Sequence, residues 1–164
     1  VTDPPPKSPG NPPELVLFVG VQGSGKTSFY RERFSGTHVH VSKDLFPNNR
    51  NKARRQRQLI EEALSSGRSV VLDNTNPTWE DRAGAITLAR AYRATVTGYV
   101  FVTDIQTALE RNRGREGKAR VPDVAIYATA KRLQHPSPEE GFGTLFAVRL
   151  TPAGEFEISP WRTP

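Results

Sequence analysis

The chain has 164 residues, with 23 Lys and Arg against 17 Asp and Glu, a formal net charge of +6 and a pI near 10.0. That length suits a single domain, at roughly 100–200 residues per domain. Zero cysteines exclude disulfides and thiolate chemistry, and no run of about 18 apolar residues marks a membrane helix. The N-terminus lacks an apolar signal core, so an intracellular, cytoplasmic protein is expected. The basic excess is mostly arginine, which favours a partner rich in phosphate or carboxylate.

Residues 1–13, VTDPPPKSPGNPP, are proline-rich and read as a disordered leader ahead of a domain spanning 14–164. Leu15–Val19 is a fully apolar run, the pattern of a buried parallel strand. A glycine-rich turn, Gly20–Thr27, leads into a helix over Thr27–Phe34. Thr37–Val41 alternates polar and β-branched residues and predicts a second strand. Asn51–Ser66 carries Ala53, Leu59, Ile60, Ala63 and Leu64 on a helical period, with Gly67 as the stop. Val70–Leu72 is a further buried strand ending at Asp73. Thr78 reads as an N-cap with Asp81 completing the box, and its helix runs to about Tyr92. Thr95–Thr103 is a strand, and Asp104 caps a short helix through Leu109 and Arg111. Arg113–Val121 is charged and punctuated by glycine. Asp123–Leu133 is helical, Leu145–Leu150 a fifth strand, and Phe156–Ile158 a short antiparallel edge.

Strands and helices alternate, which predicts a layered α/β fold with a mostly parallel sheet of about five strands. The G-x-x-x-x-G-K-[ST] spacing at Gly20–Thr27 makes this a three-layer P-loop NTPase fold of kinase-like type, and the arginines of the 111–120 strip are expected to form an arginine-rich lid. Ligands in such folds sit at the carboxyl ends of the strands. The Gly20 turn, Lys43-Asp44 and Asp73-Asn74 all fall there.

Gly20-Val21-Gln22-Gly23-Ser24-Gly25-Lys26-Thr27 matches G-x-x-x-x-G-K-[ST], after an apolar strand and before a helix. Its backbone N–H groups and the helix N-terminus favour an anion. Lys26 is expected on the β- and γ-phosphates and Thr27 on Mg²⁺. The nucleotide contacts are expected from Gly20, Gln22, Gly23, Ser24, Gly25, Lys26, Thr27 and Ser28. No Asn-Lys-x-Asp guanine motif is present, so ATP is the default donor, with other nucleoside triphosphates open.

Asp44 follows the second strand, where a carboxylate accepts the proton of an attacking hydroxyl and approaches the metal; the plainer reading is a cap or surface Asp. Asp73 ends the third strand, where an Asp holds Mg²⁺. Thr27, Asp44 and Asp73 are therefore the expected metal-side oxygens. Asn74 and Asn76 either bind substrate or form a turn. Arg50, Lys52, Arg54, Arg55 and Arg57 form a basic run that is either a solvated helix face or a nucleic-acid groove. His38 and His40 read as strand residues rather than metal ligands. Arg111, Arg113 and Arg115 alternate in a strip with Gly114 and Gly117, suited to close over a nucleotide and stabilise a transferring phosphoryl group. A basic loop without that role is the alternative.

GVQGSGKT, VSKD, VVLDNTNP, RNRGRE and VPDVAIYATAKRLQHPSPEEGF together resemble the kinase domain of 5′-polynucleotide kinase/3′-phosphatases and its stand-alone bacterial relatives. The likeness runs from about Leu15 to Leu150. The LDNTNP and PSPEEGF segments are far more specific than the P-loop. The resemblance implies transfer of the ATP γ-phosphate to a nucleic-acid 5′-OH end, with Asp44 as general base. It further implies Asp73 on the acceptor side and one or more of Arg113, Arg115 and Arg111 on the donor phosphates. The family's basic residue three positions after the base is Pro47 here, leaving Lys43 or Arg50 to substitute. The phosphatase signature D-x-D-x-T is absent.

The expectation is a Mg²⁺-dependent polynucleotide 5′-hydroxyl kinase. Its partners are a nucleoside triphosphate and a nucleic acid with a 5′-OH end, and no membrane. The catalytic residues are Asp44, Lys26, Arg113 and Arg115, and the acceptor is held by Lys43, Asp44, Arg50, Asp73, Asn74 and Asn76. A small-molecule or zeta-toxin-like sugar-nucleotide kinase and a non-catalytic ATP-binding, nucleic-acid-binding module are the alternatives.

Overall fold

A computed structural model describes residues 3–7 and 10–164; Val1, Thr2, Ser8 and Pro9, within the expected leader, lie outside the described residues. Strand β1 (Glu14–Val19) leads through the glycine turn into helix α1 (Lys26–Arg33). Next come β2 (His38–Val41), α2 (Lys52–Ser65), β3 (Ser69–Leu72), α3 (Trp79–Ala91) and β4 (Thr95–Phe101). Then follow α4 (Ile105–Arg113), α5 (Asp123–Arg132), β5 (Thr144–Leu150) and β6 (Phe156–Pro160). The six strands lie in the order β2-β3-β1-β4-β5-β6, all parallel except the β5–β6 pair. The expected edge strand is thus present, and it extends two residues further, to Pro160.

The sheet is central because β1 is apolar on both sides. Leu15 and Leu17 face α2 and α3, packing with Ile60, Leu64 and Ile86. Val16 and Phe18 face α1, packing with Phe29, Tyr30 and Phe101. Successive side chains of a strand point to opposite faces, so an all-apolar run has to be covered twice. Phe18 meets Phe29 and Phe101 with ring centroids 5.7 and 5.1 Å apart, and Phe18→Ala would cost about 3–5 kcal/mol. A third cluster, Val21 with Ala108, Leu109 and Ile126, seats α4 and α5 under the glycine turn.

The helix starts follow the caps written in the sequence. Thr78 and Asp81 form the reciprocal box of α3, Asp104 accepts from Thr107 N at 2.9 Å, and Asn51 accepts from Arg54 N at 3.0 Å. Near the N-terminus, Lys7 N donates to Gly67 O and Arg68 Nε to Pro4 O, both at 3.1 Å. No helix among the described residues is long and apolar enough to cross a membrane.

Candidate active site

The carboxyl ends of β1, β2 and β3 open into one cleft of about 840 Å³. Adjacency of β1 and β3 in the sheet brings the P-loop helix against Asp73. Thr27 Oγ1 donates to Asp73 Oδ2 at 2.8 Å, although 46 residues separate them. Asp73 is 3% exposed, and its backbone N–H donates to Val41 O at 2.8 Å.

Gly23 has φ +81, and a Cβ there would stand 2.6 Å from Ala108 O, so the loop can turn this close to α4 only without a side chain. Arg111 Nη1 donates to Gly23 O at 3.3 Å and fastens α4 to the same turn. Lys26 Nζ donates to Gly20 O, Val21 O and Ser24 Oγ at 3.0, 2.7 and 3.3 Å. Burial pushes its ammonium down to about 8; Asp73 and Asp44 pull it up, and Arg115 pushes it down further. Gln22 Nε2 donates to Thr129 Oγ1 at 3.1 Å, tying the loop to α5. Ser24 is buried, whereas Thr27 and Ser28 are exposed at the start of α1.

Asp44 lies in a 3₁₀ turn, Lys43–Leu45, capped by Ser42, whose Oγ accepts from Asp44 N at 3.3 Å. Its carboxylate is exposed on the cleft wall. Asn74 sets the position of that turn. Its Oδ1 accepts from Lys43 N at 3.0 Å, while its Nδ2 donates to Gln56 Oε1 at 2.8 Å, linking β2, β3 and α2. Asn76 lines the cleft, but its amide donates inward to Phe18 O at 2.8 Å, and its backbone sits at φ 44. The Asn76 amide nitrogen thus fastens the β3 exit to β1, because a buried amide takes the nearest strand carbonyl.

The basic strip divides differently from an extended, alternating segment. Residues through Arg113 remain helical, which turns Arg111 and Arg113 to different sides of α4. Arg113 leaves the cleft and meets Asp123 at 3.4 Å, both half-exposed. Arg115, beyond the helix, lines the cleft. Arg50 is not among the lining residues; Lys52 and Lys43 are.

Several lining groups carried no site role in the sequence reading. His40 reaches Asp73 Oδ2 with Nε2 at 2.8 Å, and Arg31, Asp81 and Arg132 also face the cleft. The residue that explains the two most distinctive segments is Arg82, with none of its surface exposed. It donates to both Glu140 oxygens at 2.8 and 3.1 Å, to Asn76 O at 2.8 Å and to Gln134 O at 3.1 Å. LDNTNP and PSPEEGF are two sides of one buried clamp. The only signal for it in the sequence was an arginine on a helix face among Ala85, Ile86 and Ala89.

The chain is 29% identical over 148 residues to a bifunctional polynucleotide phosphatase/kinase of Schizosaccharomyces pombe, covering 88% of this chain. It spans about a third of that relative's length (35%). A chain from the PezAT chromosomal toxin–antitoxin system of Streptococcus pneumoniae has the same fold, with TM-score 0.70 at 15% identity, covering 96% of this chain and 76% of that one. A fungal RNA kinase matches with TM-score 0.65 at 16% identity, covering 85% and 38% respectively. At such identities these two structures speak for the fold alone. The P-loop, the parallel sheet and a match over residues 15–136 place this chain in the AAA domain family.

Proposed function

We propose that this domain is a 5′-polynucleotide kinase that moves the γ-phosphate of ATP to a 5′-hydroxyl. The observation that carries the reading is one cleft holding Lys26, Thr27 and Asp73 at its base and the exposed Asp44 on its wall. The lining cations number seven (Lys26, Arg31, Lys43, Lys52, Arg115, Lys118, Arg132) against Asp44, Asp73 and Asp81. A positive open groove suits a polyanionic strand, whereas a small neutral acceptor calls for an enclosed pocket. The similarity to a polynucleotide phosphatase/kinase supports the same choice.

The oxygens at the base fit Mg²⁺. Thr27 spends its proton on Asp73 and keeps lone pairs free, and Asp73 Oδ1 has no bonding partner among the described residues. No three His, Asp or Glu side chains converge there among the described residues, which suits a cation completed by phosphates. Bound there, Mg²⁺ would neutralise charge on the β- and γ-phosphate oxygens.

In the proposed reaction, Asp44 takes the proton of the 5′-hydroxyl. The freed oxygen bonds to the γ-phosphorus as the bond from that phosphorus to the β,γ-bridging oxygen breaks. The products are a 5′-phosphorylated strand and ADP, with one proton passed to Asp44. Lys26 and Arg115 stabilise the charge on the transferring group. Incubating labelled ATP with 5′-OH DNA and RNA oligonucleotides tests this. Asp44→Ala is expected to lower transfer by about 10²–10⁴-fold and to leave nucleotide binding intact. Transfer undiminished in that variant, or label reaching no oligonucleotide with the wild-type protein, refutes the reading.

A further inference from the structure

Asp73 is held by more than the P-loop. Its Oδ2 receives the Thr27 hydroxyl and, at the same 2.8 Å, meets Nε2 of His40. His40 lies on β2, opposite Val71 of β3, so its side chain reaches across the strand pair to the residue that follows the strand. The ring lies flat on Tyr30 of α1, with centroids 4.0 Å apart and planes 13° apart. Tyr30 is fixed in turn, its hydroxyl donating to His38 O at 2.7 Å. The circuit Tyr30–His40–Asp73–Thr27 begins and ends on α1 and passes through β2 and the end of β3.

The chemistry of that circuit is directional. Oδ2 is occupied twice, so the carboxylate cannot rotate without losing two bonds in a site only 3% exposed. Oδ1, with no partner among the described residues, is left toward the cleft that Asp73 lines. The Thr27 O–H is committed to Oδ2, so the lone pairs of Thr27 are also left toward the cleft. A carboxylate with free rotation would offer a cation either oxygen and let Thr27 turn with it. Partners behind a metal-binding oxygen commonly set its affinity within about 10–100-fold.

We propose that His40 is a positioning residue for the divalent cation: it clamps Asp73 Oδ2 so that Asp73 Oδ1 and Thr27 Oγ1 face the cation together. It touches neither phosphate nor cation itself. The inference rests on the proposed nucleotide site, but not on the identity of the acceptor.

The test compares His40→Phe, which keeps a ring against Tyr30 and removes the nitrogen, with His40→Gln, which restores an N–H donor. Binding of Mn²⁺ to the protein–ADP complex is read by electron paramagnetic resonance, and ADP binding in EDTA by calorimetry. His40→Phe is expected to weaken Mn²⁺ binding by about 10-fold or more while metal-free ADP binding holds within about 2-fold; His40→Gln is expected to recover most of the loss. If transfer occurs, kcat falls in His40→Phe and the KM for the oligonucleotide does not move. Equal Mn²⁺ affinity in His40→Phe and wild type overturns the inference, as does equal loss of metal-free and metal-dependent binding, which marks a merely structural residue. A wild-type protein that binds Mn²⁺–ADP but phosphorylates no oligonucleotide overturns only the proposed acceptor.

Discussion

Replacing Arg82 by alanine tests how the two most distinctive sequence segments work. Arg82 is fully buried, and its partner Glu140 keeps only 9% of its side-chain surface exposed. The substitution strands that carboxylate and also leaves Asn76 O and Gln134 O without their donors. Breaking a buried ion pair from one side typically costs about 3–5 kcal/mol, since the remaining charge is desolvated and uncompensated. Against a total stability of roughly 5–15 kcal/mol, that is a large share. At about 2–4 °C per kcal/mol for a chain of this size, Tm should fall by roughly 6–20 °C. The assay is urea unfolding followed by circular dichroism, run for Arg82→Ala, Glu140→Gln and the double variant. The double variant should lose less than the sum of the singles, because the stranded charge has gone. A loss below about 1 kcal/mol in Arg82→Ala, or strict additivity, would falsify the clamp. Because Asn76 follows Asp73 closely in the chain, the clamp also sets where β3 delivers its carboxylate, so residual activity should fall as the protein loosens.

Three further outcomes follow from the same geometry. Lys26 in the free protein loses its proton at about 8, and bound phosphates favour the ammonium. Nucleotide affinity should therefore hold below pH 8 and weaken above it by up to about tenfold per pH unit, with proton uptake on binding; calorimetry in buffers of different ionisation enthalpy measures both. An affinity flat to pH 10 contradicts the burial of that amine. Gly23→Ala forces a Cβ to 2.6 Å from Ala108 O at positive φ, and should destabilise the fold by about 1–3 kcal/mol and abolish nucleotide binding in a filter or calorimetric assay. Arg115→Ala should lower kcat by about 10²–10³-fold, and Arg113→Ala, which removes only a half-exposed pair with Asp123, should change it little; steady-state kinetics with the reverse ranking would reassign the strip.

Local chemistry along the chain was sufficient for the alternation of strands and helices, the P-loop, and the caps at Thr78 and Asp104. Each depends on residues a few positions apart: an apolar run, a glycine spacing, an oxygen facing an N–H within one turn. Asp44 and Asp73 stand out as acidic candidates because both come shortly after strands, and the carboxyl ends of strands are where such folds bind ligands. The adjacency of β1 and β3, which joins Thr27 to Asp73, was decided only by the tertiary structure. So was the reach of His40 across to β3, and the meeting of Arg82 with Glu140 across 58 residues. The same is true of the sorting of Arg111, Arg113 and Arg115, and of Lys52 over Arg50 on the cleft wall. The pairing order of strands and the azimuth of a side chain on a helix are set by packing between distant segments, and no neighbouring residue encodes them.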